Sequence, residues 1–187
     1  MNIQIISGSP RENSLTNRVA LFLQKYLSLH TAHDVNIIDV RDYQLPLLQE
    51  VWTSVEKAPE PYKELAKNMF EADAFILVSP EYNGSYSPAM KNLLDQFPKQ
   101  NRKTFGIVTA SPGAMGGIRA SQQMQLLVGA LFGILAPNML ITPMVDKKFD
   151  ETGALTDPDF QKTINHFVKE FLWLAQAVAP KLEPIYN

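Results

Sequence analysis

The sequence predicts an α/β fold, a three-layer α/β/α sandwich built on a five-stranded parallel sheet in the order 2-1-3-4-5. Three observations predict it. Short apolar or β-branched runs alternate with stretches of helical periodicity five times along the chain, and that alternation builds parallel sheets with helices on both faces. The third run, AFILVS, is apolar throughout, as expected of a strand covered on both faces. The length of 187 residues, with no repeat and no low-complexity linker, suits one domain, so residues 1–187 are read as a single unit.

Residues 3–6 form a β-branched run that ends in the turn residues Ser7-Gly8-Ser9-Pro10. Leu15, Val19, Phe22, Leu23, Tyr26 and Leu27 then recur at helical spacing. Residues 34–40 read as a second strand. Residues 41–58, with Pro46 and Trp52, show no period, and a helix is expected over 61–71. The third strand covers 74–78. The helix after PEYNGSYS carries Pro88 in its first turn, where a missing N–H does no harm. A fourth strand over 104–109, a helix over 118–132, a fifth strand over 138–142 and a closing helix over 158–178 complete the pattern. With five strands this is the flavodoxin-like arrangement, in which ligands lie beyond the carboxyl ends of the strands near the switch point. The loops after strands one, three and four should therefore meet at one end.

Composition narrows the chemistry. There is no cysteine, which excludes disulfides, thiolate catalysis, iron–sulfur clusters and CxxC redox pairs. The net charge is −2 and no basic stretch stands out, which argues against nucleic acid as a partner. No run approaches the length of a membrane span, and MNIQIISGSP begins as a strand with no signal-peptide character. A cytoplasmic protein is expected. His30, His33 and His166 are scattered, and no metal site is expected from them.

The first loop, SGSPRENSLTN, sets Ser9, Arg11, Ser14 and Thr16 at the start of a helix. Free N–H groups and a partial positive charge there suit an anion with several oxygens. The plainer reading is that Ser14 or Asn13 caps the helix. That reading leaves out Arg11, a cation at the positive end of the helix dipole. The loop has neither GxxxxGK[ST] nor GxGxxG. In the second loop, Asn83-Gly84 is a turn dipeptide, but a turn alone does not explain Tyr82 beside an acid at the end of a buried strand. In the third, Gly113, Gly116 and Gly117 fall within five residues. They serve either a flexible turn or a close approach of backbone to a planar ligand. Arg119 either meets an anion or points to solvent.

Taken together, GSPRENSLT (8–16), PEYNGSYSPAMKNLLD (80–95), SPGAMGGIRA (111–120) and FDETGALTD (149–157) resemble the NAD(P)H-dependent FMN reductase family, in the branch with quinone, azo-dye and chromate reductases. The resemblance implies that the first loop holds the FMN phosphate through Ser9, Arg11, Ser14, Leu15 and Thr16. It implies that Pro80, Glu81, Tyr82, Asn83 and Gly84 line the ribityl chain and ring. Ser111, Gly113, Met115, Gly116 and Gly117 would border the ring. It further implies a ping-pong oxidoreductase: NADPH or NADH passes a hydride to flavin N5, and electrons then go to a quinone-like or other small acceptor. No side chain acts as a catalytic nucleophile, and backbone N–H groups of 113–117 would stabilise the reduced flavin. Family members form homodimers or homotetramers. The stretches around Leu93, Leu94 and Phe97 and around 126–135 would supply such a surface or lie in the core, and residues 41–58 would cover the pocket. Three other readings stay open. One is a flavodoxin-type electron carrier, usually more acidic than this chain. Another is a redox-responsive interaction protein without turnover of its own. The last is a reductase that releases reduced FMN.

Overall fold

The computed structural model describes residues 1–179. Among these residues the elements run β1 (Asn2–Ser7), α1 (Leu15–His30), β2 (Asp34–Asp39), α2 (Lys63–Glu71), β3 (Ala74–Ser79), α3 (Pro88–Asp95), β4 (Thr104–Ser111), α4 (Ile118–Ala130), β5 (Ile134–Leu135), β6 (Leu140–Pro143), α5 (Val145–Lys148) and α6 (Gln161–Val178). The sheet is parallel in the order β2-β1-β3-β4-β5, and β6 also pairs with β4.

The predicted order is therefore present with one extra strand. The fifth position of the sheet is shared by two short segments in line. β5 pairs with Thr104 and Phe105, and β6 pairs with residues 108–111. The Ala136 N–H still reaches the Phe105 carbonyl at 2.8 Å, but Pro137 has no N–H to offer the ladder, and pairing stops there. The bounds of three expected helices shift. The helix expected over 118–132 ends at Ala130, because Phe132 takes a left-handed φ of +58°. The expected helices over 61–71 and 158–178 each open with a single 3-10 turn, at Glu60–Tyr62 and Pro158–Phe160.

Two cores flank the sheet. One gathers Ile3, Ile5, Ile76, Val78 and Val108 with Leu23 of α1 and Ile164, Phe167 and Phe171 of α6. The other gathers Ile6, Phe75, Leu77 and Ile107 with Leu65 and Met69 of α2, Leu93 and Leu94 of α3, and Met124 of α4. Neighbours such as Phe75 and Ile76 face opposite cores, as the period of two requires. Gly106 is fixed by packing, since a Cβ there would lie 2.9 Å from the Phe167 ring. Leu93, Leu94 and Phe97 are core residues, whereas Leu126 and Phe132 are 70% and 63% exposed. No helix among the described residues is long and apolar enough to cross a membrane.

Candidate functional site

Register places the carboxyl ends of β1, β3 and β4 together. Ser7 aligns with Val78, and Ser79 aligns with Thr109. The loops after these strands meet at that edge. The first is tied to the second at its base. The Gly8 N–H donates to the Val78 carbonyl at 2.8 Å, and the Ser87 hydroxyl donates to the Gly8 carbonyl. A side chain on Gly8 would run into Met90 of α3, so only glycine permits this approach.

At the other end of the first loop, Ser14 caps α1, its Oγ accepting from the Asn17 N–H at 3.1 Å. The plainer reading of Ser14 is thus correct, and Asn13 is not the cap. The N–H groups of Leu15 and Thr16 lie in the first turn, where a helix offers no acceptor. Arg11 forms no ion pair with any described carboxylate. Its guanidinium lies over the Tyr82 ring, 5.0 Å from the centroid.

In the second loop, Tyr82 and Ser85 exchange two backbone hydrogen bonds, at 2.8 and 3.1 Å. Asn83 and Gly84 between them have φ of +51° and +81°, the two-residue hairpin that an Asn-Gly pair favours. The turn presents Tyr82, whose hydroxyl is buried and has no partner among the described residues. Glu81 joins this loop to α4. One of its carboxylate oxygens accepts from the backbone N–H groups of Arg119 and Ala120, at 3.0 and 3.3 Å, and the other pairs with the Arg119 guanidinium at 3.4 Å. An internal carboxylate therefore occupies the positive end of α4. The Arg119 side chain pairs with Glu81 while 63% of it stays exposed along the helix flank, which is the solvent-facing one of its two sequence readings.

In the third loop Gly116 and Gly117 are required by backbone conformation and packing. Gly116 and Gly117 have φ of +60° and +86°; a Cβ on the first would meet Ile141 at 2.7 Å and on the second Thr109 at 2.9 Å. The Gly113 N–H is held by the Ser111 hydroxyl at 3.1 Å and the Gly116 N–H by the Gly113 carbonyl at 3.2 Å. Two of the backbone donors expected to face a ligand are thus used within the loop.

A cavity of about 280 Å³ lies between the loops. Ser9, Arg11, Ser14, Leu15 and Thr16 form one wall, Pro80, Glu81 and Tyr82 another, and Ser111 part of the rim. Asn13, Ala110 and Pro112 also line it. They sit inside the same three loops, so position alone would have pointed to them. Asn83, Gly84, Gly113, Met115, Gly116 and Gly117 shape the surrounding turns and are not on this wall. Residues 41–58 do not cover the cavity. Trp52 of that segment is buried, stacked on Tyr62 and edge-on to Phe97.

Residues that the sequence reading missed lie behind the first loop. A second cavity of about 320 Å³ adjoins Asn13 and Ser14 on the outer side, lined also by Arg18, Arg41 and Glu151. Arg41 makes a forked ion pair with the buried Asp39, and that hydrogen bonding raises its pKa above the ordinary value. The signal in the sequence was the acid–Val–Arg triplet at the carboxyl end of the second strand.

The arrangement suits a phosphate-bearing ligand with an aromatic part: an unpaired guanidinium, three hydroxyls and free helix N–H groups stand on one side of a cavity and an unpartnered phenol on the other. Comparison with known proteins agrees. Residues 1–148 match the family described as NADPH-dependent FMN reductase. The chain is 30% identical over 177 residues to an FMN-dependent NADPH-azoreductase of Staphylococcus aureus, covering 90% of this chain and 92% of that one. Among solved structures it is similar to the flavoenzyme NAD(P)H:(acceptor) oxidoreductase FerB of Paracoccus denitrificans, at 22% identity and a TM-score of 0.77, covering 95% of this chain and 98% of that one. It is also similar to a flavodoxin of Pseudomonas aeruginosa, at 19% identity and a TM-score of 0.57, covering 92% and 99%.

Proposed function

Since the chain belongs to the NADPH-dependent FMN reductase family, and is by that membership an FMN-using oxidoreductase with a nicotinamide donor, we propose that it reduces small quinone-like or azo acceptors at the cavity between the three loops. The observation that carries this reading is the pairing of the unpaired Arg11 and the α1 N-terminus with the unpartnered Tyr82 across one cavity. The name of the Staphylococcus aureus relative supports an azo or other conjugated acceptor.

FMN, when bound, supplies the two-electron chemistry, taking a hydride from the nicotinamide and giving the electrons to the acceptor. The chain's own residues bind and orient. Arg11 would hold the phosphate, together with the hydroxyls of Ser9, Ser14 and Thr16 and the N–H groups of Leu15 and Thr16, and these groups would supply its hydrogen-bond donors. The Tyr82 ring and Pro80, which line the cavity, would pack on the apolar part of the ligand. Glu81, engaged with the first turn of α4, fixes the second loop against the helix that follows the third. In the third loop the N–H groups of Ala114 and Met115 are not used within the loop, and they would serve the electron-rich edge of a bound ring that extends past the rim at Ser111.

We read the order of events as ping-pong, with donor and acceptor using the same space in turn. Initial rates at several acceptor concentrations should give parallel double-reciprocal lines; intersecting lines would contradict it. The electron-carrier reading is tested by the same assay, since a carrier would oxidise NADPH with a quinone only negligibly. A cytoplasmic homodimer or homotetramer completes the proposal, with exposed Leu126 and Phe132 as apolar surface for contact.

A further inference from the structure

The middle of the first loop is almost unsupported by its own backbone. Gly8 is anchored to β3 and α3, and Ser14 is anchored to α1. Between them, a turn spans Glu12 and Asn13, and one side-chain hydrogen bond from elsewhere in the fold reaches the backbone of residues 9–13 among the described residues. It is the bond from Arg41 Nη1 to the Glu12 carbonyl, at 2.9 Å. Arg41 is itself held. Its Nε reaches both carboxylate oxygens of Asp39, at 2.9 and 3.1 Å, and Nη2 reaches the same carboxylate. Asp39 is the last residue of β2 and is aligned with Ser7, the last residue of β1. It also caps the 3-10 turn Val40–Asp42 by accepting from the Arg41 N–H at 3.0 Å. The carboxylate is thus fixed to the sheet, the guanidinium is fixed to the carboxylate, and its remaining arm holds the loop.

We propose that Asp39 and Arg41 form a clamp that positions the phosphate-binding loop, with Arg41 acting as a positioning residue through the Glu12 carbonyl. The proposal rests on the phosphate reading of the first loop given above. Arg41 contributes to phosphate affinity by removing the freedom that residues 9–13 would otherwise lose on binding, because a preorganised site spares that ordering cost. A planar fork is required. It spans a carboxylate on one edge and leaves a donor on the other. Asp39 is met by Nε and Nη2 and the Glu12 carbonyl by Nη1, so the two partners lie on different edges of the guanidinium, which the compact ammonium of a lysine does not reproduce.

The test is the binding of FMN and of riboflavin, which lacks the phosphate, to apoprotein, read by flavin fluorescence. In the unaltered protein FMN should bind much more tightly than riboflavin. In Arg41→Lys the FMN Kd should rise by about tenfold, equivalent to about 1.4 kcal/mol, while the riboflavin Kd stays within about twofold. If Arg41→Lys lowers the melting temperature of the apoprotein, the double variant Asp39→Asn/Arg41→Gln removes both charges together and should give the same selective loss. An unchanged FMN Kd, or equal losses for FMN and riboflavin, would overturn the clamp. If the unaltered protein fails to distinguish FMN from riboflavin, the phosphate reading itself fails, and Arg11→Ala would then also leave FMN binding unchanged.

Discussion

Tyr82 combines a ring beneath a guanidinium with a buried hydroxyl that has nothing to bond. A buried unpaired hydroxyl costs about 1–3 kcal/mol, so Tyr82→Phe should leave the apoprotein at least as stable as before in urea unfolding. A loss of stability would mean that the hydroxyl has a partner. Arg11 separates two accounts of the same contact. If Arg11 is there only to stack on Tyr82, Arg11→Ala costs about 0.5–1 kcal/mol of apoprotein stability and leaves FMN affinity intact. If it serves the phosphate, the FMN Kd rises at least tenfold while the rate of hydride transfer in the loaded protein changes little. We expect the second outcome.

At the scale of elements, the second and third loops are joined through a helix end. Glu81 accepts from the first turn of α4, so Glu81→Ala should cost about 0.5–2 kcal/mol, as losing an N-cap does. Glu81→Gln, which keeps an acceptor, should cost less, and equal losses in the two variants would show that the contact is not a cap. Much of this was legible in the sequence. The uniform run AFILVS gave β3, Ser14 gave the start of α1, and Asn83-Gly84 gave the hairpin. What escaped notice escaped for physical reasons. A two-residue strand such as β5 has no periodicity to show. The contacts of Glu81 with α4 and of Arg41 with Glu12 join residues 38 and 29 positions apart, and no local pattern reports such pairs. The glycines of the third loop were visible, but the neighbours that require them, Ile141 and Thr109, became neighbours only in the folded sheet.

Across the whole molecule, the two ends of the sheet do different work. The carboxyl end carries the cavity. At the opposite end, Lys103 directs its ammonium to the carbonyls of Met69 and Phe70 and to the Gln100 side chain, at 3.0, 3.3 and 3.0 Å. Burial nevertheless lowers its pKa from 10.5 to about 8. In that window the unfolded chain binds a proton that the folded chain has released, so stability rises with pH from about 8 toward 10.5. Urea unfolding across this range should show the rise, and Lys103→Met should flatten it; a rise that persists in the variant would assign it to another group. The central claim is that FMN sits at the carboxyl end of the sheet and is reduced there by a nicotinamide. The measurement that tests it most directly is the visible spectrum of the FMN-loaded protein titrated with NADPH without oxygen. The flavin absorbance should bleach with about one equivalent, the two-electron capacity of one bound flavin, and return when a quinone is added. A flavin that stays oxidised under excess NADPH and NADH would contradict the account.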